Sequence, residues 1–492
     1  LRRRLYALWQ QRVLGGVSLP LPLWGLWLLS GEPGRRLEER FDLHLLGHGH
    51  AAHWADLGGV ALGGALALLG GMTLWALLMA TLPRLLSRAI VPGRLYRFYG
   101  LHHWLLGLIT AWSNSRWHNM LAGDSPDVVA WLRAVVGYRF VGGIEQTGSN
   151  FGLTQQHDLP GLSHFGPGAM VSDGLTMAQV EPGPGGWRVG PTRLGARSFA
   201  GNAVLLPTGA PLGDNCLLAT RVMVPLDGPL RENIGLLGSP AFEIPRSVLR
   251  DRPDPRWSDP AWRAQALRRK TAVNRLTMLL FVGAHCIGAA LAAVVLYGAY
   301  VGVPGVPPAL SLAAGTLVAI ALELLWFVLV DRASLGWRPL EPLTCSILEP
   351  GFWRHERFWK LGFAGDGVLM TALRGTPFMG LLWRMLGVRV GRQLFDDGAS
   401  IVEKTMTTLG DHVTLGDQSL IQGHSLEDGL FKSGRIVLGD QVTLGERAFV
   451  HYGVQVGAQA RIAPESFVMK GEQLEAGSRW QGNPAQATGG AC

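Results

Sequence analysis

The sequence predicts a membrane protein in which α-helical transmembrane segments carry two left-handed parallel β-helix domains built from hexapeptide repeats. Three observations predict it. Apolar runs reach bilayer-spanning length, aliphatic residues recur every six positions in two separate polar regions, and basic residues crowd the ends of the spans.

The spans come first. The chain has 492 residues, 48% of them hydrophobic, with 67 glycines and a formal charge of +8. That length allows several domains, and that charge suits an anionic surface. The runs Leu57 to Leu82, Leu276 to Val301 and Gly305 to Val330 each exceed the roughly 20 apolar residues a bilayer helix needs. Val13 to Ser30 is shorter and carries Pro20 and Pro22, so it fits a span, a re-entrant segment or an interfacial one. Glu323 lies inside the third run, where a carboxylate is costly in lipid, and is expected to face the helix bundle as a functional candidate. His285 and Cys286 in the second run read as packed.

Charge sets the orientation. Arg84, Arg88, Arg94 and Arg97 follow the first span, Arg263, Arg268, Arg269, Lys270 and Arg275 precede the second, and Arg332 and Arg338 follow the third. The linker VGVPGVP is uncharged. The positive-inside rule therefore puts both polar regions on the cytoplasmic face of a bacterial membrane, at either end of a helical hairpin. The expected domains are an N-terminal membrane region (1–112), a first cytosolic repeat domain (113–262), the hairpin (263–335) and a second repeat domain (336–492). These basic flanks favour anionic lipid over nucleic acid. Cys216, Cys286, Cys345 and Cys492 are scattered, without metal-ligand spacing. The segment holding His44, His48, His50 and His53 is dense in histidine, yet no carboxylate set completes a metal site. Leu1 follows no recognisable signal peptide, so the chain is expected to be a segment of something longer.

The repeats come next. Aliphatic residues stand at Leu409, Leu415 and Ile421, then at Leu438, Leu444, Val450, Val456, Ile462 and Val468, mostly followed by Gly or Ala, with a small residue expected three places on. Leu194, Ala200, Leu206, Leu212, Leu218 and Val224 repeat the design upstream. Three such hexads make one triangular coil whose axis the aliphatic residues fill. The interval from Ile421 to Leu438 is not a multiple of six, so the segment GHSLEDGLFKSG (Gly423 to Gly434) is expected to leave the coil as a loop, a common place for a site. Laying MVSDGLTMA over SLEDGLFKS matches Asp173-Gly174 to Asp428-Gly429, and puts Ala169 opposite His424 and Gly201 opposite His451.

The strings GSPAFEIPR, SLEDGLFKSGRI, FVHYGV and SFVMKGE, on two hexapeptide domains separated by membrane helices, resemble the C-terminal membrane region of ε-poly-lysine synthetase-like nonribosomal peptide synthetases. The resemblance covers about Leu57 to Ala485. It implies tandem acyltransferase-like domains that join amino acids by amide bonds. The donor would be an aminoacyl thioester on a phosphopantetheine carrier, and the acceptor a free amino acid or a growing polymer. Adenylation and carrier domains, which lie upstream in that family, would act in cis or in trans, and no bound cofactor is expected. An oligomer is compatible with the pattern, since hexapeptide acyltransferases generally place a histidine between subunits.

The residues allow that chemistry. An amine attacking a thioester must be deprotonated, and a neutral imidazole suits that task. His424 ends the last regular hexad, with Glu427 and Asp428 placed to orient its ring or hold a cationic amine. His451 follows in the next coil as the rival base. Lys432 and Lys470, two of only five lysines, are candidates to touch the phosphopantetheine. Structural readings stand beside these: a loop cap for His424, coil decoration for His451, a turn for Asp428-Gly429, and solvated surface charge for both lysines. Two other functions stay open, a membrane acyltransferase using acyl-coenzyme A and a non-catalytic scaffold for polymer export.

Overall fold

The computed structural model describes residues 54–114, 118, 126–142, 156–246, 256, 259–301, 305–362, 368–427 and 429–488. Val13 to Ser30, the four-histidine segment and Asp428 lie outside the described residues.

Three helices, Trp54–Ser87, Pro260–Val301 and Pro308–Ser334, are long and apolar enough to cross a membrane. They pack through small residues, which let backbones approach where lipid gives helices no reason to associate by hydrophobicity. A Cβ on Gly64 would lie 2.8 Å from the Ala293 Cβ. Ser311 donates to the Ala299 carbonyl at 2.6 Å, and Trp326 Nε1 to the Ala284 carbonyl at 2.9 Å. Glu323 departs from expectation. Its helix buries Ser311, Gly315, Ala319, Val328 and Asp331, whereas Glu323 is exposed although it stands four residues after Ala319. His285 is packed against Phe281 and Phe327, as expected.

The second polar region stacks its strands in three parallel sheets. One holds Arg389–Val390, Thr407–Leu409, Ile436–Leu438, Gln455–Val456 and Gln473–Leu474, and the other two follow the same ladder. Val437 pairs with Gln455 and Thr443 with Arg461, so a regular coil takes three hexads. The aliphatic positions named above are all buried in this region, and so are those of the first.

The corners differ in detail from the sequence expectation. The small buried residue comes four places after the aliphatic one, at Val413, Ser419, Val442, Ala448, Val454 and Ala460. The third place holds a left-handed turn residue instead, as at Gln418 (φ 55°), Gln441 (φ 58°) and Arg447 (φ 55°). That conformation costs an L-residue roughly 1–2 kcal/mol. A bond to the neighbouring coil offsets it, as where Gln441 N donates to the Asp411 carbonyl at 2.7 Å. The glycine after the aliphatic residue has a separate cause: a Cβ on Gly416 would lie 2.6 Å from Glu446 N on the next coil.

One coil is longer. Leu409 pairs with Leu438 and Thr414 with Thr443, an interval that exceeds three hexads by almost two more, and the surplus is expelled. It leaves as a β-hairpin, which a search for period six could not see. His424–Glu427 pairs antiparallel with Leu430–Ser433, and Thr344–Ser346 adds a third strand at Leu430–Ser433.

The first region repeats this plan at a constant distance. Its strands Thr176–Ala178, Val180–Gly183, Gly186–Val189 and Thr192–Leu194 begin at places that a single shift of the numbering carries onto Leu420, His424, Leu430 and Ile436. It expels its own hairpin, and Tyr96 bridges Trp187 as Cys345 pairs with Phe431. This register corrects the alignment on Asp-Gly. Val180, not Ala169, stands in the place of His424, and Pro207, not Gly201, in that of His451. Asp173-Gly174 is a coil corner rather than a hairpin turn, with Gly174 at φ 86°.

Truncating an axial residue tests the core. Leu444→Ala should cost about 2–5 kcal/mol of unfolding free energy, while Val437→Ala on the outer face should cost under about 1 kcal/mol. Denaturant unfolding of the detergent-solubilised protein reads both, and equal losses would contradict the axial placement.

Candidate functional site

The site is built around a carboxylate that sequence reasoning missed. Glu403 follows the strand Ser400–Ile401 and precedes one tight turn, Lys404–Met406, and it is fully buried. Its Oε1 meets His424 Nδ1 at 2.7 Å, His355 Nε2 at 3.1 Å and Trp359 Nε1 at 2.9 Å. Its Oε2 accepts the Gly423 N–H at 2.6 Å.

Two segments supply these donors for separate local reasons. Gly423 and His424 stand where the chain turns out of the coil, so the backbone N–H left by the broken ladder finds Glu403. His355 and Trp359 are four residues apart on the helix Pro350–Leu361, which puts them on one face. That helix packs Phe352 and Phe358 with Leu426 and Phe431 of the hairpin in one hydrophobic cluster. The Trp359 ring lies 4.2 Å from that of His424, centre to centre.

Electrostatics decide the tautomers. Burial by itself pushes the Glu403 carboxyl up, but the charge of His424 and the hydrogen bonds from His355 and His424 outweigh it and hold the carboxyl well below the usual range. An ionised carboxylate only accepts, so His424 Nδ1 and His355 Nε2 must donate. In the neutral His424 ring, Nε2 then carries the lone pair, and it makes no hydrogen bond among the described residues. Burial lowers His355, outweighing its bond to Glu403, so it stays neutral.

His451 is the opposite case. Its Nδ1 accepts the Tyr452 N–H at 2.9 Å, so the proton of the neutral ring sits on Nε2, making that nitrogen a donor. Burial first, then the charges of His424 and Lys470, push it down to about 3. A ring that stays neutral and presents N–H is poorly suited to take a proton.

The other expected residues lie at the margin. Glu427 does not reach the His424 ring; its Oε2 stands 3.7 Å from Lys470 Nζ, which is exposed. Lys432 is half-buried on the returning strand, Leu430–Ser433. The signal for the missed residues was present: WRHERFWK is unusually rich in ionisable and aromatic residues, and Glu403-Lys404 sets two charges directly after a core strand.

The first copy touches this site but lacks its chemistry. Ser172 Oγ donates to the Leu426 carbonyl at 3.1 Å. Asn202 Nδ2 donates to Gln422 Oε1 at 3.0 Å, and Gln422 Nε2 to the His424 carbonyl at 3.1 Å. The Arg221 guanidinium lies over the Phe449 ring, which stacks on His451. At the equivalent place within the first copy, Leu159 replaces Glu403 and Val180 replaces His424, among Leu106, Ile109 and Trp187.

Two measurements test this arrangement. In ¹⁵N-histidine spectra near neutral pH, His424 should be protonated at Nδ1 and His451 at Nε2; the reverse pattern would overturn the assignment. The value of about 3 for His451 lies below its ordinary 6.5, so the unfolded chain takes up that proton first. Stability should be full above about pH 6.5 and fall as pH drops toward 3, with Glu403 adding to the loss in acid. His451→Asn should flatten the fall in Tm between pH 6.5 and 4.5, and an unchanged slope would contradict a ring buried neutral.

No protein-family model matches the chain. Among solved structures, a hexapeptide-repeat acetyltransferase of Vibrio cholerae O1 biovar eltor, complexed with acetyl coenzyme A, is 24% identical, covering 22% of this chain and 61% of that one at a TM-score of 0.20. Serine acetyltransferase of Neisseria gonorrhoeae is 18% identical, covering 47% of this chain and 89% of that one at a TM-score of 0.19. Scores this low carry no functional reading. Delta-poly-L-ornithine synthetase of Acinetobacter baumannii (strain AB307-0294) is 28% identical over 340 residues, which is 66% of this chain and 24% of that protein. The resemblance read from the motifs is thus met by a curated protein, and the chain is similar to a poly-amino-acid synthetase while spanning about a quarter of its length.

Proposed function

We propose that this chain forms amide bonds, transferring an aminoacyl group from a carrier-bound thioester to the amine of an amino acid or growing homopolymer. The observation that carries the reading is the Glu403–His424 pair, a buried carboxylate fixing an imidazole with its Nε2 lone pair unspent. The acceptor amine attacks the thioester carbonyl, His424 Nε2 takes the proton it sheds, and the thiol leaves with a proton as the tetrahedral intermediate collapses. His451 Nε2–H offers a donor for the oxyanion of that intermediate. Lys432 and Lys470 belong to the approach of the phosphopantetheine arm. Glu427, at the end of the strand His424–Glu427, is assigned with Asp428 to holding a cationic substrate amine.

The name of the relative points to ornithine or a similar diamino acid as the monomer. Both repeat regions are read as left-handed parallel β-helices on the cytoplasmic face of a multi-pass bacterial membrane protein. This is supported by the three-hexad coils, the three apolar helices and the basic flanks. Catalysis is assigned to the second copy because the first has Leu159 and Val180 where the second has Glu403 and His424.

The test supplies the protein with an aminoacyl carrier thioester or, separately, with acetyl-coenzyme A. Amide formation from the carrier alone is expected. His424→Ala should lower the rate by about 10² to 10⁴, or roughly 3 to 5 kcal/mol of barrier, with the protein still folded. Product only from acetyl-coenzyme A would favour an acyl-coenzyme A acyltransferase, and product from neither a scaffold. A near-normal rate in His424→Ala with loss in His451→Ala would move the base to the following coil.

A further inference from the structure

A groove of about 310 Å³ runs between the second repeat region and its own apolar helix, within the size range of ligand pockets. Its walls include Leu317, Ile320 and Leu324 on Pro308–Ser334, and Phe378, Leu381 and Met385 on the nine-residue helix Phe378–Leu386 that leads into the first coil. Every lining residue is apolar. On each helix these residues recur at steps of three and four, so two apolar stripes line one space. That space is open. Leu317 is 70% exposed, Phe378 61% and Leu381 53%.

The groove lies at the depth of hydrocarbon. Leu317 precedes Arg332, at the charged end of its helix, by 15 residues, or about 22 Å at the helical rise, and a bilayer core is about 30 Å thick. The short helix climbs toward that end, since its capping residue Gly387 stands against the Arg332 guanidinium. Arg384 lies in its last turn, with Nε donating to the Val390 carbonyl at 3.1 Å. Neither Arg332 nor Arg384 meets a carboxylate among the described residues. The first copy covers the equivalent stripe. Counting back from Gly137 and Gly387, which both end a helix at φ 102°, Val128 and Trp131 stand where Phe378 and Leu381 do. Val128 is fully buried, and Trp131 stacks on Trp75 of the first apolar helix at 6.3 Å. The second copy meets aliphatic residues there instead, and the space between stays unfilled.

We propose that this groove takes one acyl chain of an anionic phospholipid from the cytoplasmic leaflet, with the headgroup phosphate at Arg384 and Arg332. Apolar surface left in water costs free energy in proportion to its area, and hydrocarbon removes that cost. One wall of the groove is continuous with the outward face of a bilayer-length helix, so lipid is the neighbour already in place. The two arginines at the cytoplasmic end supply the charge that an anionic headgroup complements. The second repeat region is thereby seated in the membrane by its first helix, not merely tethered beside it. The inference rests on the membrane reading of the three apolar helices and is independent of the amide chemistry.

The test is photolabelling of the full chain in vesicles that contain a phosphatidylglycerol with a diazirine on its acyl chain, read by peptide mass spectrometry. Adducts are expected between Phe378 and Met385, and also at Leu279, which is 67% exposed on Pro260–Val301. Adducts at Leu279 with none between Phe378 and Met385 would overturn the inference and leave the membrane reading standing; adducts at neither would remove both. Arg384→Gln should lower the labelling between Phe378 and Met385 about five-fold while Leu279 is unchanged, and Arg384→Lys should keep the wild-type yield. Equal yields from the phosphatidylglycerol probe and a phosphatidylcholine probe would overturn the anionic headgroup. A second copy of the chain is the rival occupant. Labelling that appears only when the protein is diluted to one chain per nanodisc, with Leu381→Cys forming a disulfide dimer at higher density, would put that copy in the groove instead.

Discussion

A single buried carboxylate organises the second half of this molecule. Glu403 has no solvent to stabilise its charge, so four donors must do it: two imidazoles, one indole and one backbone N–H. Those donors belong to a helix, a coil corner and the root of a hairpin. Satisfying the charge therefore fixes how the three meet, since an ion left buried without partners costs several kcal/mol. The same bonds that hold Glu403 ionised also set the tautomers of both histidines. Structure and chemistry here follow from one desolvation cost and its compensation.

The first copy shows what the frame does without that charge. It keeps the coils, the expelled hairpin and the bridging strand residue, with boundaries in one constant register, as between Val180 and His424. Apolar Leu159 and Val180 then let the hairpin pack as ordinary core with Leu106 and Trp187. Expulsion of the hairpin is thus a property of the shared architecture, whereas the buried Glu403–His424 pair belongs to the second copy alone. The first copy still serves the second, because Ser172 and Asn202 bond to the hairpin and the strand that leads into it. Ser172 and Asn202 bring a hydroxyl and an amide, which support the site without competing for its proton.

Charge also runs outward from the site. Lys270 and Lys404 bury ammonium groups against phenylalanine rings of the helix that carries His355, and each meets a carboxylate across an element boundary. Aromatic faces lower the cost of holding a cation away from water. The apolar helices are in this way attached to the site by pairs that act at short range and in one geometry, unlike the small-residue contacts that join the helices to each other.

What the sequence by itself determined was whatever depends on local periodicity. The six-residue recurrence from Leu409 to Val468 is legible because every axial residue meets the same environment, so the pattern survives in one dimension. The apolar spans are legible because lipid solvates a whole helix alike, and the break after Ile421 is legible by counting. The tertiary structure decided everything that joins distant segments. Glu403 lies 21 residues before His424, and His355 lies 48 before Glu403, at separations no period relates. Glu427 and Asp428 looked like the orienting carboxylates because they are near His424 in sequence. In a strand, though, Glu427 falls on the face opposite His424, and only the turn after Ile401 brings a carboxylate beneath the ring. Glu323 was misplaced for the same reason, since composition gives depth in a membrane but only packing gives the side of the helix that faces a neighbour. Which histidine can accept a proton was likewise beyond the sequence, because a tautomer is set by the partner of the other ring nitrogen, and that partner is chosen in three dimensions.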